Sequence, residues 1–195
     1  MAEVSENTGS PRKVSPFRLM CGILSGPVQG WKNVKRSGPE LQDVLSRLFY
    51  PMTALASFSR FADLFYDANA VLSRIIVDCI VTFIAFFFSF FAIPVVAKWV
   101  LPVDSTAWAD KPFGKQFVAY ALSTLALFAT LYTLLPMLEP VMVFLPLWTI
   151  YTICRGVRFL RVPEERETRV SIALSVMITG FPLLTGWLFY KILPS

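Results

Sequence analysis

Not one of the 195 residues is a histidine, so the commonest general base and the commonest metal ligand are both missing. The three cysteines, Cys21, Cys79 and Cys154, stand far apart with no Cys-x-x-Cys pair, which leaves no zinc, redox or disulfide framework. Cys21 follows Leu19 and Met20, but no apolar signal segment precedes it and Arg18 is close by. It therefore reads as an unmodified thiol. There is no Gly-rich phosphate loop and no carboxylate cluster with metal spacing. Tyr66-Asp67 matches one dipeptide of the aspartyl intramembrane proteases, yet no Gly-x-Gly-Asp partner follows. Ser25-Gly26 and Ser37-Gly38 lie outside apolar helices and have no histidine to activate the serine. The expectation is a chain that is not an enzyme, with no catalytic, cofactor-binding or metal-ligating residues.

Charge is the next scarcity. From Gln116 to Cys154 thirty-nine residues carry a single charge, Glu139, between Pro136 and Pro140. A hydrocarbon core about 30 Å thick takes roughly 20 apolar residues to cross, so this stretch reads as two crossings joined by a turn. Cys79–Ala97, rich in Phe, and Val170–Tyr190 are likewise uncharged. With 55% hydrophobic residues and a mean hydropathy of +0.60, the chain is expected to be an all-α polytopic membrane helix bundle. The net charge of +5 and pI near 9.3 do not point to nucleic acid, because the basic residues cluster beside apolar runs, where lipid headgroups and topology account for them.

Strong candidate crossings are 75–101, 116–135, 137–157 and 170–192. A fifth, weaker one is expected over 47–66. One basic cluster, from Arg12 to Arg47, precedes it; a second, from Arg155 to Arg169, lies between the last two strong segments. Both belong in the cytoplasm by the positive-inside rule, so an even number of crossings must separate them. The alternative for 47–66 is a helix lying on the membrane surface. The resulting expectation is about five transmembrane helices, with the N-terminus in the cytoplasm and the C-terminus outside. Residues 1–16 read as a disordered tail with no cleavable signal peptide. Residues 17–46 read as a cytoplasmic segment at the headgroup level or a merely sticky linker, and 47–195 as the transmembrane domain. Ser37-Gly38-Pro39-Glu40 fits a capping box that would open a helix. Pro94, Pro146 and Pro182 lie inside candidate helices, where each removes a backbone hydrogen bond.

Two groups of residues carry the functional expectation. Thr53, Ala56, Ser57, Arg60, Asp63 and Asp67 share one side of a helix, and Arg60–Asp63 and Arg74–Asp78 are spaced to pair. Arg60, Asp63 and Glu139 are thus a candidate intramembrane polar site, read either as a pathway or as a structural seam. Trp31, Lys32, Lys35 and Arg36, with Arg155, Arg158 and Arg161, are the candidate contact with anionic lipid or a protein partner. Glu164, Glu165 and Glu167 are expected to pair with Arg166 and Arg169, leaving the first three arginines free.

The amphipathic N-terminal stretch with its Trp, the tightly spaced helices, the uncharged hairpin, and Leu147-Trp148-Thr149-Ile150-Tyr151 running into Arg155-Gly156-Val157 resemble the Yip-domain family. The resemblance covers roughly 26–192, and its most specific part is that fourth helix with the loop Val162-Pro163-Glu164-Glu165-Arg166. It implies a small five-helix membrane protein with no catalytic residues to carry over. Eukaryotic members are associated with Rab GTPases and early secretory traffic, and many bacterial members lack a known activity. Ser25-Gly26-Pro27-Val28-Gln29-Gly30-Trp31 keeps Gly-Pro and Trp but not the Asp-Leu-Tyr-Gly-Pro-like motif of eukaryotic members. That departure implies a bacterial inner-membrane member. The expected role is to organise or recruit partners at the cytoplasmic face, with a second copy of the chain, as a homo-oligomer, among the expected partners. The alternative is a small transporter, channel or lipid-moving protein that uses the polar intramembrane residues.

Overall fold

The structure, a computed structural model, describes residues 14–67, 70–136 and 144–192. Among the described residues there is no strand. Helices α1 (Pro16–Ser25) and α2 (Pro27–Ser37) form a hairpin, each starting on a proline, which has no N–H to leave unsatisfied in a first turn. Gly30 of α2 rests on the backbone of Ile23, leaving no room for a Cβ. Gly38, at φ 52° and ψ 45°, ends α2 by donating to Val34 O, and Pro39 follows. The expected capping box is not formed. Ser37 belongs to the last turn of α2, where its hydroxyl donates to Val34 O. Glu40 is the extended residue before the next helix and makes no side-chain cap. A left-handed glycine followed by proline is a stop signal, and here it outweighs the Ser-x-x-Glu spacing.

From Leu41 to Tyr66 the backbone remains helical but changes pitch. It runs through α3 (Leu41–Val44), a π turn (Leu45–Phe49), α4 (Tyr50–Phe58), a 3-10 turn (Ser59–Ala62) and α5 (Asp63–Tyr66). Pro51 cannot donate to the carbonyl of Arg47, and the wide π turn accommodates that gap. Thr53, Ser57 and Ser59 donate to the carbonyls of Phe49, Thr53 and Ala56, a pattern that bends helices. The expected polar side faces inward at first: Thr53, Ala56 and Ser57 are buried, Arg60 and Asp63 are half-buried, and Asp67 is exposed.

Among the described residues three helices are long and apolar enough to cross a membrane: α6 (Leu72–Val100), α7 (Pro112–Leu134) and, after the short α8 (Leu145–Val157), α9 (Glu164–Ile192). Pro94 and Pro182 lie inside α6 and α9. Pro146 lies in the first described turn of α8. Of the expected 137–157 crossing, residues 137–143 fall outside the described residues, and the helix that is described has 13 residues.

The bundle is organised around α7, which packs against α3, α4, α6, α8 and α9. Its residues from Gln116 to Thr124 are buried on every side. Ala119, Ala121, Ser123, Thr124 and Ala126 keep its surface thin, which lets neighbouring backbones approach where lipid offers no hydrophobic drive. The hydroxyls of Ser123, Thr124, Thr130 and Thr133 donate to carbonyls four residues back, so no buried donor among them is orphaned. Helices α6 and α9 lie along one another. Their outer faces expose Phe88, Phe91, Val176, Leu183 and Trp187, as a lipid-facing surface should.

Candidate functional site

The N-terminal hairpin is packed onto the bundle. Met20, Ile23, Trp31 and Val34 are each 1% exposed or less. The Trp31 ring stacks on Phe117 at 4.6 Å, meets Tyr120 edge-on at 6.2 Å, and donates its indole N–H to Thr152 O at 2.9 Å. Trp148 donates to Leu24 O at 3.2 Å. Glycine 156 makes room for this docking: a Cβ there would fall on the Phe117 ring and 2.6 Å from Trp31 Nε1. Trp31 therefore leaves the candidate contact surface and becomes an anchor of the core. The apolar spacing Pro27, Gly30, Trp31, Val34 is helical and could have signalled a buried stripe.

Docking of α2 brings three distant segments to one end of the bundle. Lys35 donates to Phe159 O at 3.2 Å, with Nζ 6.0 Å from the Phe113 ring centre and 5.8 Å from that of Phe159. Gln116 donates to Pro39 O, and Arg166 reaches Asp104 at 3.3 Å. The same end carries Lys98, Lys111, Lys115 and Arg161. Between the segments lies a cavity of about 680 Å³ whose walls include Lys35, Lys111, Lys115 and Arg161. Lys111 and Lys115 lie far from Lys35 in the sequence, and their approach to it depends on how α2 docks.

The other candidate contact residues are divided. Lys32 and Arg36 are exposed on α2. Arg155 is half-buried with its guanidinium 5.2 Å from the Tyr151 ring centre. Arg158 is not free, since it pairs with Glu167 at 2.7 Å. The expected Glu–Arg pairing is corrected accordingly: the last turn of α8 lies beside the first turn of α9, so Glu167 meets Arg158, and Arg166 turns to Asp104.

At the opposite end Tyr66 donates to Leu134 O at 3.1 Å and Tyr190 donates to Asp78 at 2.7 Å. Arg60 and Asp63 both line a small cavity of about 140 Å³ with Tyr66 and Tyr132. Four ion pairs form among the described residues, and neither Arg60–Asp63 nor Arg74–Asp78 is among them. The 3-10 turn Ser59–Ala62 eclipses side chains three apart, so Arg60 and Asp63 keep to one side and share the small cavity without forming an ion pair. Arg60 also lines a larger cavity of about 520 Å³ between α4, α6, α7, α8 and α9, whose walls are otherwise mostly apolar. Glu139 lies outside the described residues.

These features define a class: an all-α helix bundle with, among the described residues, three helices suited to span a bilayer, capped at one end by a docked hairpin and a basic cavity. Comparison with protein-family models, curated proteins and solved structures found no match.

Proposed function

We propose that this chain is a non-enzymatic, Yip-like integral membrane protein that organises or recruits partners at its cytoplasmic face. In this reading 47–66, α6, α7, 137–157 and α9 make five crossings of a bacterial inner membrane. The N-terminus is then cytoplasmic and the C-terminus outside. The observation that carries it is the one-sided charge. Lys35, Lys98, Lys111, Lys115, Arg155, Arg158, Arg161, Arg166 and Arg169 belong to segments joined at one end, whereas the opposite end holds Arg60, Arg74 and Lys191 beside Asp63, Asp67 and Asp78. Cytoplasmic loops carry such an excess of Lys and Arg. The tight packing around α7 and Trp31 suits a scaffold.

Photo-crosslinking residues placed at Lys32 and Arg36, with Ser73 at the opposite end as control, test the proposal in native membranes. A discrete cross-linked protein from the first two positions and none from Ser73 is expected. No cross-link at either α2 position removes the recruiting role.

The 520 Å³ cavity beside Arg60 supports the second reading, a lipid-moving or transport protein. In that case Arg60→Gln abolishes movement of a fluorescent anionic lipid across reconstituted vesicles. If the wild-type chain moves none, this reading fails.

A further inference from the structure

The basic cavity differs from an ordinary solvated cluster in how its cations are held. Lys35 comes from the end of α2, Lys111 and Lys115 from the start of α7, and Arg161 from the turn after α8. Two carboxylates, Glu40 and Asp110, also line it. Asp110 is engaged by Lys98 at 2.5 Å, which leaves Glu40 against four cations. Lys35 spends one of its three donors on Phe159 O, so two remain.

Arg161 is the second observation. It is the one non-glycine residue at positive φ among the described residues, at φ 60° and ψ 41°. Glycine occupies that conformation without steric penalty, so strain is accepted here for a side chain that lines the cavity. Such outliers cluster where a ligand is held. Trp108 is a third. It is 2% exposed, it lines the cavity, and its Nε1 has no hydrogen-bond partner among the described residues. The first turn of α7 also lines the cavity; Pro112 has no N–H and the Gly114 and Lys115 amides donate to Lys111 O, which leaves the Phe113 amide and the helix dipole facing it. Helix amides and their dipole favour an anion at that position. The remaining walls, Gln116 apart, are apolar, Phe113 and Phe159 among them.

We propose that the cavity framed by Lys35, Lys111, Lys115 and Arg161 is a binding site for a phosphate ester, supplied by an anionic phospholipid headgroup or by a small phosphorylated solute. The inference deepens the cytoplasmic-face reading, on which it rests for the side of the membrane from which the ligand comes. A phosphodiester presents the oxygens that guanidinium and ammonium groups bind with charge-assisted hydrogen bonds. The apolar rings would flank a glycerol backbone in the first case and lie against water in the second.

The test uses the full chain in neutral maltoside micelles, with thermal midpoint and native mass spectrometry as readouts. The probes are inorganic phosphate, short-chain phosphatidylglycerol and short-chain phosphatidylcholine. Saturable stabilisation by phosphatidylglycerol and not by phosphatidylcholine is expected, and the same effect from inorganic phosphate would identify the small-solute source. Changing Lys111 and Lys115 to Gln together should weaken binding by at least roughly tenfold, while Lys191→Gln at the opposite end should leave it unchanged. Arg161→Gly removes a cation and relieves the backbone, so it should weaken binding while the ligand-free midpoint stays level or rises. A merely structural Arg161 would not produce that split. Equal response to both lipids, or unaltered phosphatidylglycerol binding in folded Arg161→Gly, overturns the site. A chain that binds phosphatidylglycerol yet yields no cross-link from α2 keeps the site and loses the recruiting role, so the two failures are distinct.

Discussion

The contact between Trp31 and Gly156 holds the N-terminal hairpin to the bundle, and its energetics can be worked from the geometry. Removing a buried Trp side chain costs about 3–5 kcal/mol, and Trp31 gives up both its stack on Phe117 and its hydrogen bond to Thr152 O. Trp31→Ala should therefore lower the melting midpoint of the full chain in micelles by about 6–20 °C, taking about 2–4 °C per kcal/mol for a chain of this size. Gly156→Ala adds one methyl where there is no space: the Cβ meets the Phe117 ring and lies 2.6 Å from Trp31 Nε1. Overpacking costs about 1–3 kcal/mol, partly offset by up to about 1 kcal/mol gained when Ala replaces Gly in a helix. The net expectation is a loss of up to about 2 kcal/mol.

With Trp31 already Ala, the same methyl enters vacated space and Phe117 is free to tilt away. Gly156→Ala should then be neutral or stabilising by up to about 1 kcal/mol. The sign reversal between backgrounds amounts to a coupling of roughly 2 kcal/mol, within the range for contacting residues. Circular dichroism melts of the four proteins, with limited proteolysis to report release of α1 and α2, measure it. Equal effects of Gly156→Ala in both backgrounds would refute the docking of Trp31 over this glycine.

At the opposite end, Tyr190→Phe removes the hydrogen bond to Asp78 that ties α9 to α6. A bond to a charged acceptor is worth about 1.5–3 kcal/mol, and partial exposure brings the expected loss to roughly 1 kcal/mol, read as a lower midpoint that Asp78→Asn does not lower further. Asp63→Asn and Arg60→Gln should each change stability by less than about 0.5 kcal/mol, with no coupling in the double variant, because the two side chains do not pair. Mutual rescue in that double variant would show that the pair forms in the membrane after all.

The long apolar helices were legible in the sequence because a run without charge has few alternatives once it reaches crossing length. Residues 79–97 fall inside α6 and 170–190 inside α9. The inward side of α4 was legible too, since Thr53, Ala56 and Ser57 follow helical spacing. What was not legible depended on pitch and docking. A π turn before Pro51 and a 3-10 turn at Ser59–Ala62 change the pitch in ways that residue spacing does not show, and Arg60 reaches the larger cavity as well as the small one it shares with Asp63. Trp31 reads as an interfacial residue when only its neighbours Lys32 and Lys35 are considered. Its burial becomes apparent only when Gly156, 125 positions along, is placed opposite it. The basic cavity was hidden for the same reason, because Lys35, Lys111, Lys115 and Arg161 share no local pattern. Glu167 was close enough in sequence to be paired by spacing, and it chose Arg158 across the turn between α8 and α9.

The central claim is that all three basic segments lie on one side of a membrane crossed five times. Single cysteines at Ser37, Ala107 and Thr168, each exposed at the basic end, and at Ser73 near the other end test it in a chain lacking Cys21, Cys79 and Cys154. A membrane-impermeant maleimide applied to intact cells should label Ser73→Cys alone, and the other three should react only after the membrane is opened. Labelling of Ala107→Cys from the side opposite to Ser37→Cys or Thr168→Cys would contradict the five-crossing account and the single cytoplasmic face that depends on it.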